Sequence, residues 1–412
     1  MRHLIIGNSA AGTAAAEAIR ANQPHAEITI LTRDATFYSR CQLHLVAGGV
    51  RPAAKTSFVP EDWAQRHGVE VRLGWDVVAI DPLRKEVSCR NGDSLPYDRL
   101  LLATGAGSLT PPIEGVRGSG VFGLRNLEDA QGILQRVGKS RHVVIIGAGL
   151  VGCELAETLA AGGHPSVSMV EMAPHPLPLQ LEMTIGARLR DVMSDHGMAM
   201  FCRDSVAAVE RDRAGQPRAV VLKSGRALPA DLVVCAAGVR ANTDLFAGLG
   251  TIGRRGIVVD AGGRTSVPDI FAAGDVTESC DSTMGRVMPS AIWPAARRQG
   301  RVAGLNMSGG STTLEAHTGL KTSAVLCGTP LVSLGPVFEP DPAWRKELCE
   351  HTDSRNRLCS KVCYTDSNGV LKAAILWGDI SQAGLYAAAI IQQLPLGDLA
   401  FGSVPDYLLR AV

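Results

Sequence analysis

The 412-residue chain has no hydrophobic run that approaches the length of a membrane-spanning helix. It also lacks a charge excess: 41 Lys and Arg against 40 Asp and Glu leave a net charge of +1. That balance implies neither a nucleic-acid-binding surface nor a polyanionic one. Aromatic residues make up only 4%. No low-complexity tract and no short-period repeat is present. The first strand-like run starts at residue 3, which leaves no room for a secretory signal, so the expectation is a soluble cytoplasmic protein. Its ten cysteines are then expected as reduced thiols rather than a disulfide framework.

What is present is glycine, 45 residues of it, within a chain that is 46% hydrophobic. This suits packed α/β layers with many strand–helix turns, and the length exceeds one ordinary core. Two segments organise the reading. Gly7-Asn8-Ser9-Ala10-Ala11-Gly12 follows His3-Leu4-Ile5-Ile6, and Gly147-Ala148-Gly149-Leu150-Val151-Gly152 follows Val143-Val144-Ile145-Ile146. Each lies between a β-branched strand and an Ala/Leu-rich helix, the context a dinucleotide-binding turn requires. In the second, Gly147 permits the tight turn, Gly149 lets the backbone approach a pyrophosphate, and Gly152 allows close helix–strand packing. The helix from Leu150 offers unpaired N–H groups to phosphates. Ser166-Val167-Ser168-Met169-Val170 ends at Glu171, placed to accept from ribose hydroxyls; Met172, Ala173 and Pro174 follow without an arginine, which favours NAD over NADP. The first turn carries Ser9 in the middle position, and Thr32 stands where the ribose carboxylate is expected, with Arg33 and Asp34 behind it. Thr32 and Asp34 both remain candidates for the adenosine ribose.

Thr265-Ser266-Val267-Pro268-Asp269-Ile270-Phe271-Ala272-Ala273-Gly274-Asp275-Val276 resembles the second FAD fingerprint of the pyridine nucleotide-disulfide oxidoreductase superfamily. The resemblance implies that Asp275 meets the ribityl chain and that Gly274 lets the backbone pass close to the flavin. Ala103-Thr104-Gly105 and Ala236-Ala237-Gly238 match the strand ends that close the FAD and NAD domains of that superfamily. The implied fold is α/β: two Rossmann-like three-layer (ββα) domains, with FAD bound by 1–115 and 245–312, NAD by 116–244, and an α+β interface domain over 313–412.

Within the superfamily, dithiol enzymes carry C-x4-C and a C-terminal His-Pro pair. Here Cys41 has no partner before Cys89, and the last histidine, His351, has no proline after it. Tyr38-Ser39-Arg40-Cys41-Gln42-Leu43 and Ala291-Ile292-Trp293-Pro294 instead resemble the rubredoxin reductase, nitrite reductase flavin-domain and NADH oxidase branch. A helix from Pro294 would aim its N-terminus at the flavin, with Trp293 beside it. Many members of this branch place a lysine soon after the Y-x-R segment; none occurs here between Arg33 and Lys55. The resemblance implies hydride transfer between nicotinamide and FAD. Electrons then pass singly to a redox protein or Fe–S subunit, as in tungsten aldehyde oxidoreductase or phenylglyoxylate dehydrogenase complexes, with the chain a homodimer or a subunit of a hetero-complex. In relatives Glu154, on the helix after Gly152, helps shape the nicotinamide site.

Cys41 stands where single-cysteine relatives, such as coenzyme A disulfide reductase and NADH peroxidase, keep a redox thiol. Arg40 and a helix N-terminus would lower its pKa, and His44 would serve as acid–base group; a small residue facing the flavin is the alternative. Cys349, Cys359 and Cys363 lack zinc-ribbon or Fe–S spacing, so no metal is expected. Arg345, Lys346, Arg355, Arg357 and Lys361 around them read as a solvated face or as a docking surface for an acidic partner.

Overall fold

The computed structural model describes residues 1–281, 286–288, 292–314 and 321–399. Ala291 and the stretches 315–320 and 400–412 of the C-terminal region therefore lie outside the described residues. Both glycine turns leave the central strand of a five-stranded parallel sheet. In the first sheet the order is Glu70–Leu73, Glu27–Thr32, Arg2–Ile6, Arg99–Leu102, Ile270–Ala272. In the second it is Met198–Cys202, Val167–Glu171, Val143–Ile146, Leu232–Cys235, Val121–Phe122. The central strands are buried on both faces, as their unbroken apolar runs require.

Each sheet also carries a three-stranded antiparallel layer inserted before its fourth strand, Val77–Asp81 with Glu86–Cys89 and Ser94–Pro96, and Val206–Arg211 with Pro217–Leu222 and Ala227–Pro229. The sheets differ in their fifth strand, which comes from late in the chain in the first and from just before the unit in the second. The chain crosses between them on two short antiparallel strands, Ala106–Ser108 and Val239–Ala241. These crossings lie within a few residues of the Pro111-Pro112 and Arg240–Thr243 segments.

Helix Ala10–Asn22 packs against helix Trp293–Met307 through glycine. A Cβ on Gly300 would lie 2.1 Å from the Ala11 carbonyl oxygen, and one on Gly304 would lie 2.4 Å from that of Ala15. Only glycine permits this approach, and it brings the N-termini of both helices to one place.

The C-terminal region is a five-stranded antiparallel sheet in the order Lys321–Leu326, Thr329–Leu334, Leu371–Trp377, Leu358–Thr365, Arg345–Thr352. Its period-2 pattern splits two ways. Val362, Tyr364, Ala373, Ile375 and Trp377 join the core of the second parallel unit. Val332, Leu334, Cys363, Ala374 and Leu376 pack under helix Ala383–Gln392. Among the described residues no helix is long and apolar enough to cross a membrane.

Candidate functional site

A cavity of about 700 Å³ opens between the three regions. Its walls hold Gly7, Ser9, Ala10, Ala11, Thr32 and Arg33, and further along Asp34, Arg40, Cys41, Ala103, Thr104 and Gly105. Gly274, Asp275 and Trp293 close it from the first unit, while Leu150, Val151 and Glu154 enter from the helix of the second turn. Gly12 is not on the wall. A Cβ there would lie 1.9 Å from the Gly7 carbonyl oxygen, so its role is packing. Gly147, Gly149, Gly152, Glu171 and Gly238 also lie outside this lining, on the second turn proper.

Helix N-termini mark the cavity electrostatically. Helices Ala10–Asn22, Leu150–Ala161 and Trp293–Met307 all begin without a side-chain cap. By contrast, helix Leu127–Val137 has a full capping box from Asn126 and Asp129, and Met183–Asp195 is capped by Glu182. The three helices that start at the cavity thus keep N–H groups free for an external acceptor. Gly149 has no atom within 4 Å of its Cβ direction, the open space a pyrophosphate needs, and a Cβ on Gly7 would lie 2.2 Å from the Ala103 carbonyl oxygen. Glu171 accepts from the Ala148 N–H at 2.8 Å and from the Ala173 N–H at 2.9 Å, which fixes its carboxylate at the end of its strand. This donor and carboxylate set fits two dinucleotides.

Thr32 and Asp34 are not equivalent. The Thr32 hydroxyl donates to Asn8 Oδ1 at 3.2 Å and accepts from the Asp34 N–H. Asp34 is buried, receiving the Tyr38 hydroxyl at 3.3 Å and the Arg40 guanidinium at 3.1 Å. Both side chains are committed to the protein, and Arg33 is the exposed member of the trio.

The expected activation of Cys41 is corrected. Arg40 is engaged by Asp34, Tyr38 and the Arg125 carbonyl, and the helix at Cys41 is a three-residue 3₁₀ turn. Cys41 is exposed on the wall, yet surrounding protein and then the Glu154 charge push its thiol up rather than down. Burial also pushes His44 down to about 4. Glu154 is raised to about 7 by burial, reinforced by Glu157, and its Oε2 lies 3.5 Å from His44 Nδ1.

Arg125 is the main residue the sequence reading missed. It pairs with Asp275, donates to the Ala106 carbonyl at 3.1 Å, and lines the cavity from the second unit. Its only sequence signal is its place just before the Asn126 capping box. Gln299 and Asn242 were missed as well. Gln299 accepts from the Gly274 N–H at 2.7 Å, and Asn242 exchanges hydrogen bonds with Thr104 at 2.8 and 2.9 Å, so both hold wall segments in place.

In the C-terminal sheet Cys363 faces Glu347, Cys349 faces Lys361 and Cys359 faces His351, which makes Cys349 and Cys363 diagonal neighbours on adjacent strands. Among the described residues no three ligating side chains gather. The basic residues there are largely engaged within the chain. Lys346 binds Glu182, Arg345 lies against Glu347, Arg357 against Asp353, and Lys361 donates to Gln382. These pairs leave Arg345, Lys346, Arg355 and Arg357 exposed, so the solvated-face and docking readings of the cluster both stand.

Residues 1–300 match the model of the pyridine nucleotide-disulphide oxidoreductase family. The chain is 32% identical over 322 residues to an NADH oxidase of Methanocaldococcus jannaschii, covering 75% of this chain and 70% of that one. It is 33% identical over 309 residues to the epsilon subunit of the NADH-dependent phenylglyoxylate dehydrogenase of Aromatoleum evansii, covering 75% and 72%. To the ferredoxin–NAD(+) reductase component of the biphenyl dioxygenase system of Paraburkholderia xenovorans it is 32% identical over 350 residues, covering 84% and 78%.

Proposed function

The chain belongs to the pyridine nucleotide-disulphide oxidoreductase family, and from that premise we propose that it is a FAD-dependent NADH oxidoreductase that hands electrons singly to a redox protein or an Fe–S partner subunit. The observation that carries this reading is the shared cavity. Residues of the first turn and of the helix after the second turn line one space, while the thiol on its wall is held in its protonated form.

In this assignment, residues 1–115 and 245–312 hold FAD, 116–244 hold NAD, and 313–412 form the interface domain. The N–H groups after Ser9 receive the FAD pyrophosphate, with Gly7 making the turn. Asp275, steadied by Arg125, and Gly274 face the ribityl side, and Ala103-Thr104-Gly105 form the opposite wall. Gly147 and Gly149 with Leu150 and Val151 take the NADH pyrophosphate; Glu171 takes its ribose, and Gly238 closes that site. Helix Trp293–Met307 points its positive end into the cavity, which favours negative charge there. When bound, FAD supplies two-electron acceptance from NADH and one-electron release. The partner is a one-electron acceptor in a homodimeric or hetero-oligomeric assembly.

The test is an anaerobic NADH titration that follows flavin absorbance. One equivalent per FAD completes the bleaching if flavin is the sole two-electron centre. Uptake of a second equivalent, with a thiolate–flavin charge-transfer band between the two, would transfer the function to Cys41 and to disulfide or peroxide chemistry.

A further inference from the structure

One contact on the cavity wall pairs a carboxylate with an imidazole. Helix Leu43–Ala47 brings no fixed cation to Glu154; it brings His44, with Nδ1 at 3.5 Å from Glu154 Oε2. Glu154 itself lines the cavity, and its side chain is 31% exposed against 17% for His44. The carboxylate therefore faces the reacting space, with the imidazole behind it. We propose that Glu154, with His44 at its back, is a proton station that takes the proton released when NADH is oxidised by one-electron acceptors and gives it up to solvent at its exposed edge.

The stoichiometry requires such a station. NADH oxidised by two one-electron acceptors gives NAD⁺, two reduced acceptors and one proton; the electrons leave with the acceptors and the proton has to leave separately. A base on the cavity wall serves that step, and a carboxylate that ionises near neutral pH is matched to the task. Burial raises Glu154 to about 7 and lowers His44 to about 4, so of the pair Glu154 is the group that takes and gives up a proton near neutral pH, with the neutral imidazole beside it. The groups around Glu154 are consistent with this. Glu157 on its own helix adds to the local negative potential, and buried Cys153 beside it stays an uncharged thiol. Cys41 on the facing segment stays a thiol, while the Arg125–Asp275 pair and Lys321 line the same cavity. The proposal rests on the one-electron function above.

The test uses the FAD-loaded protein, its E154Q, E154D and H44N variants, and ferricyanide as acceptor. Infrared absorption of protonated carboxyl groups is recorded without NADH from pH 5.5 to 8.5. Wild type should lose a band with a midpoint near 7. E154Q should lack that band, and H44N should move the midpoint downward by removing the imidazole that accepts from the protonated acid. Proton appearance, followed with an indicator dye after mixing NADH with excess ferricyanide, should slow on the order of 10²-fold in E154Q and recover in part in E154D. A band unchanged in E154Q, or wild-type proton release in both E154Q and H44N, overturns the proposal. If NADH fails to bleach wild-type flavin, the functional reading falls instead, and the infrared arm still decides whether Glu154 holds a proton at neutral pH.

Discussion

The two glycine turns share one backbone design and differ in the side chains that finish it. In each, the last glycine sits against the first: a Cβ on Gly12 would lie 1.9 Å from the Gly7 carbonyl oxygen, and one on Gly152 would lie 2.2 Å from that of Gly147. Each leads into an uncapped helix at the centre of the same strand order. Beyond that they diverge. The second turn keeps a bare Gly149 and a carboxylate, Glu171, fixed by two backbone N–H groups. The first has Ser9, and its ribose position is filled by the internal Asn8–Thr32 contact with Asp34 tied to Arg40. Backbone geometry thus sets where a pyrophosphate sits, while side chains at the second strand's end set what sits beside it. In the first unit the side chains at that end are tied to one another, and in the second a half-buried carboxylate is held by backbone.

The sharpest way to break this comparison is to add one methyl group to each turn. Gly12→Ala and Gly152→Ala both press on backbone, which cannot swing aside, at a cost of roughly 1–3 kcal/mol. Gly12→Ala should purify with little or no flavin by absorbance. Gly152→Ala should keep its flavin and raise the KM for NADH by about tenfold or more. Flavin loss in Gly152→Ala alone would reverse the assignment of the two turns. A comparable effect is expected from the carboxylate of the second turn. Glu171→Ala removes a charged acceptor of about 1.5–3 kcal/mol and should raise the KM for NADH by more than tenfold, read from initial rates. Thr32→Ala should leave flavin content unchanged and lower the melting temperature only slightly, since the Thr32 hydroxyl serves Asn8 and the Asp34 N–H.

The turns, the strand ends and the Asp275 segment were legible because each is a local backbone requirement written in glycine and β-branched residues. The role of Gly300 was not legible, because its 2.1 Å approach to Ala11 depends on a helix nearly three hundred residues away. Arg125 was invisible for a related reason: its partner Asp275 belongs to the other unit. For Cys41 the sequence left a redox thiol and a small flavin-facing residue both open, because it does not show what else the neighbouring arginine binds. Asp34 and Tyr38 claim Arg40 first, and the charge that faces Cys41 is that of Glu154. Sequence proximity names the candidates; competition for partners in three dimensions decides which of them act.

A contrast of the same kind reaches the C-terminal sheet, where charge rather than glycine makes the join. Lys346 binds Glu182 at 2.5 Å, and Glu182 at the same time caps helix Met183–Asp195 through the Ile185 N–H at 2.9 Å. Burial alone would raise the Glu182 pKa, but the Lys346 and backbone hydrogen bonds outweigh it and the group lies below its ordinary value. A carboxyl depressed in the folded state contributes stability that is complete above its unfolded pKa and fades as pH falls through the folded one. Glu182→Gln should therefore lower the melting temperature by a few degrees at pH 7, and the gap should close toward pH 3. Glu154→Gln should behave oppositely. Its wild-type carboxyl is raised to about 7, so ionising it costs stability as pH rises above its unfolded value, and the glutamine variant should gain on wild type from pH 5 to pH 8. Melting curves of the four-way set, two variants at two pH values, should cross. Parallel curves would mean that neither carboxyl differs from an ordinary surface acid, and the distinction between the clamp at Glu182 and the proton-holding group at Glu154 would be lost.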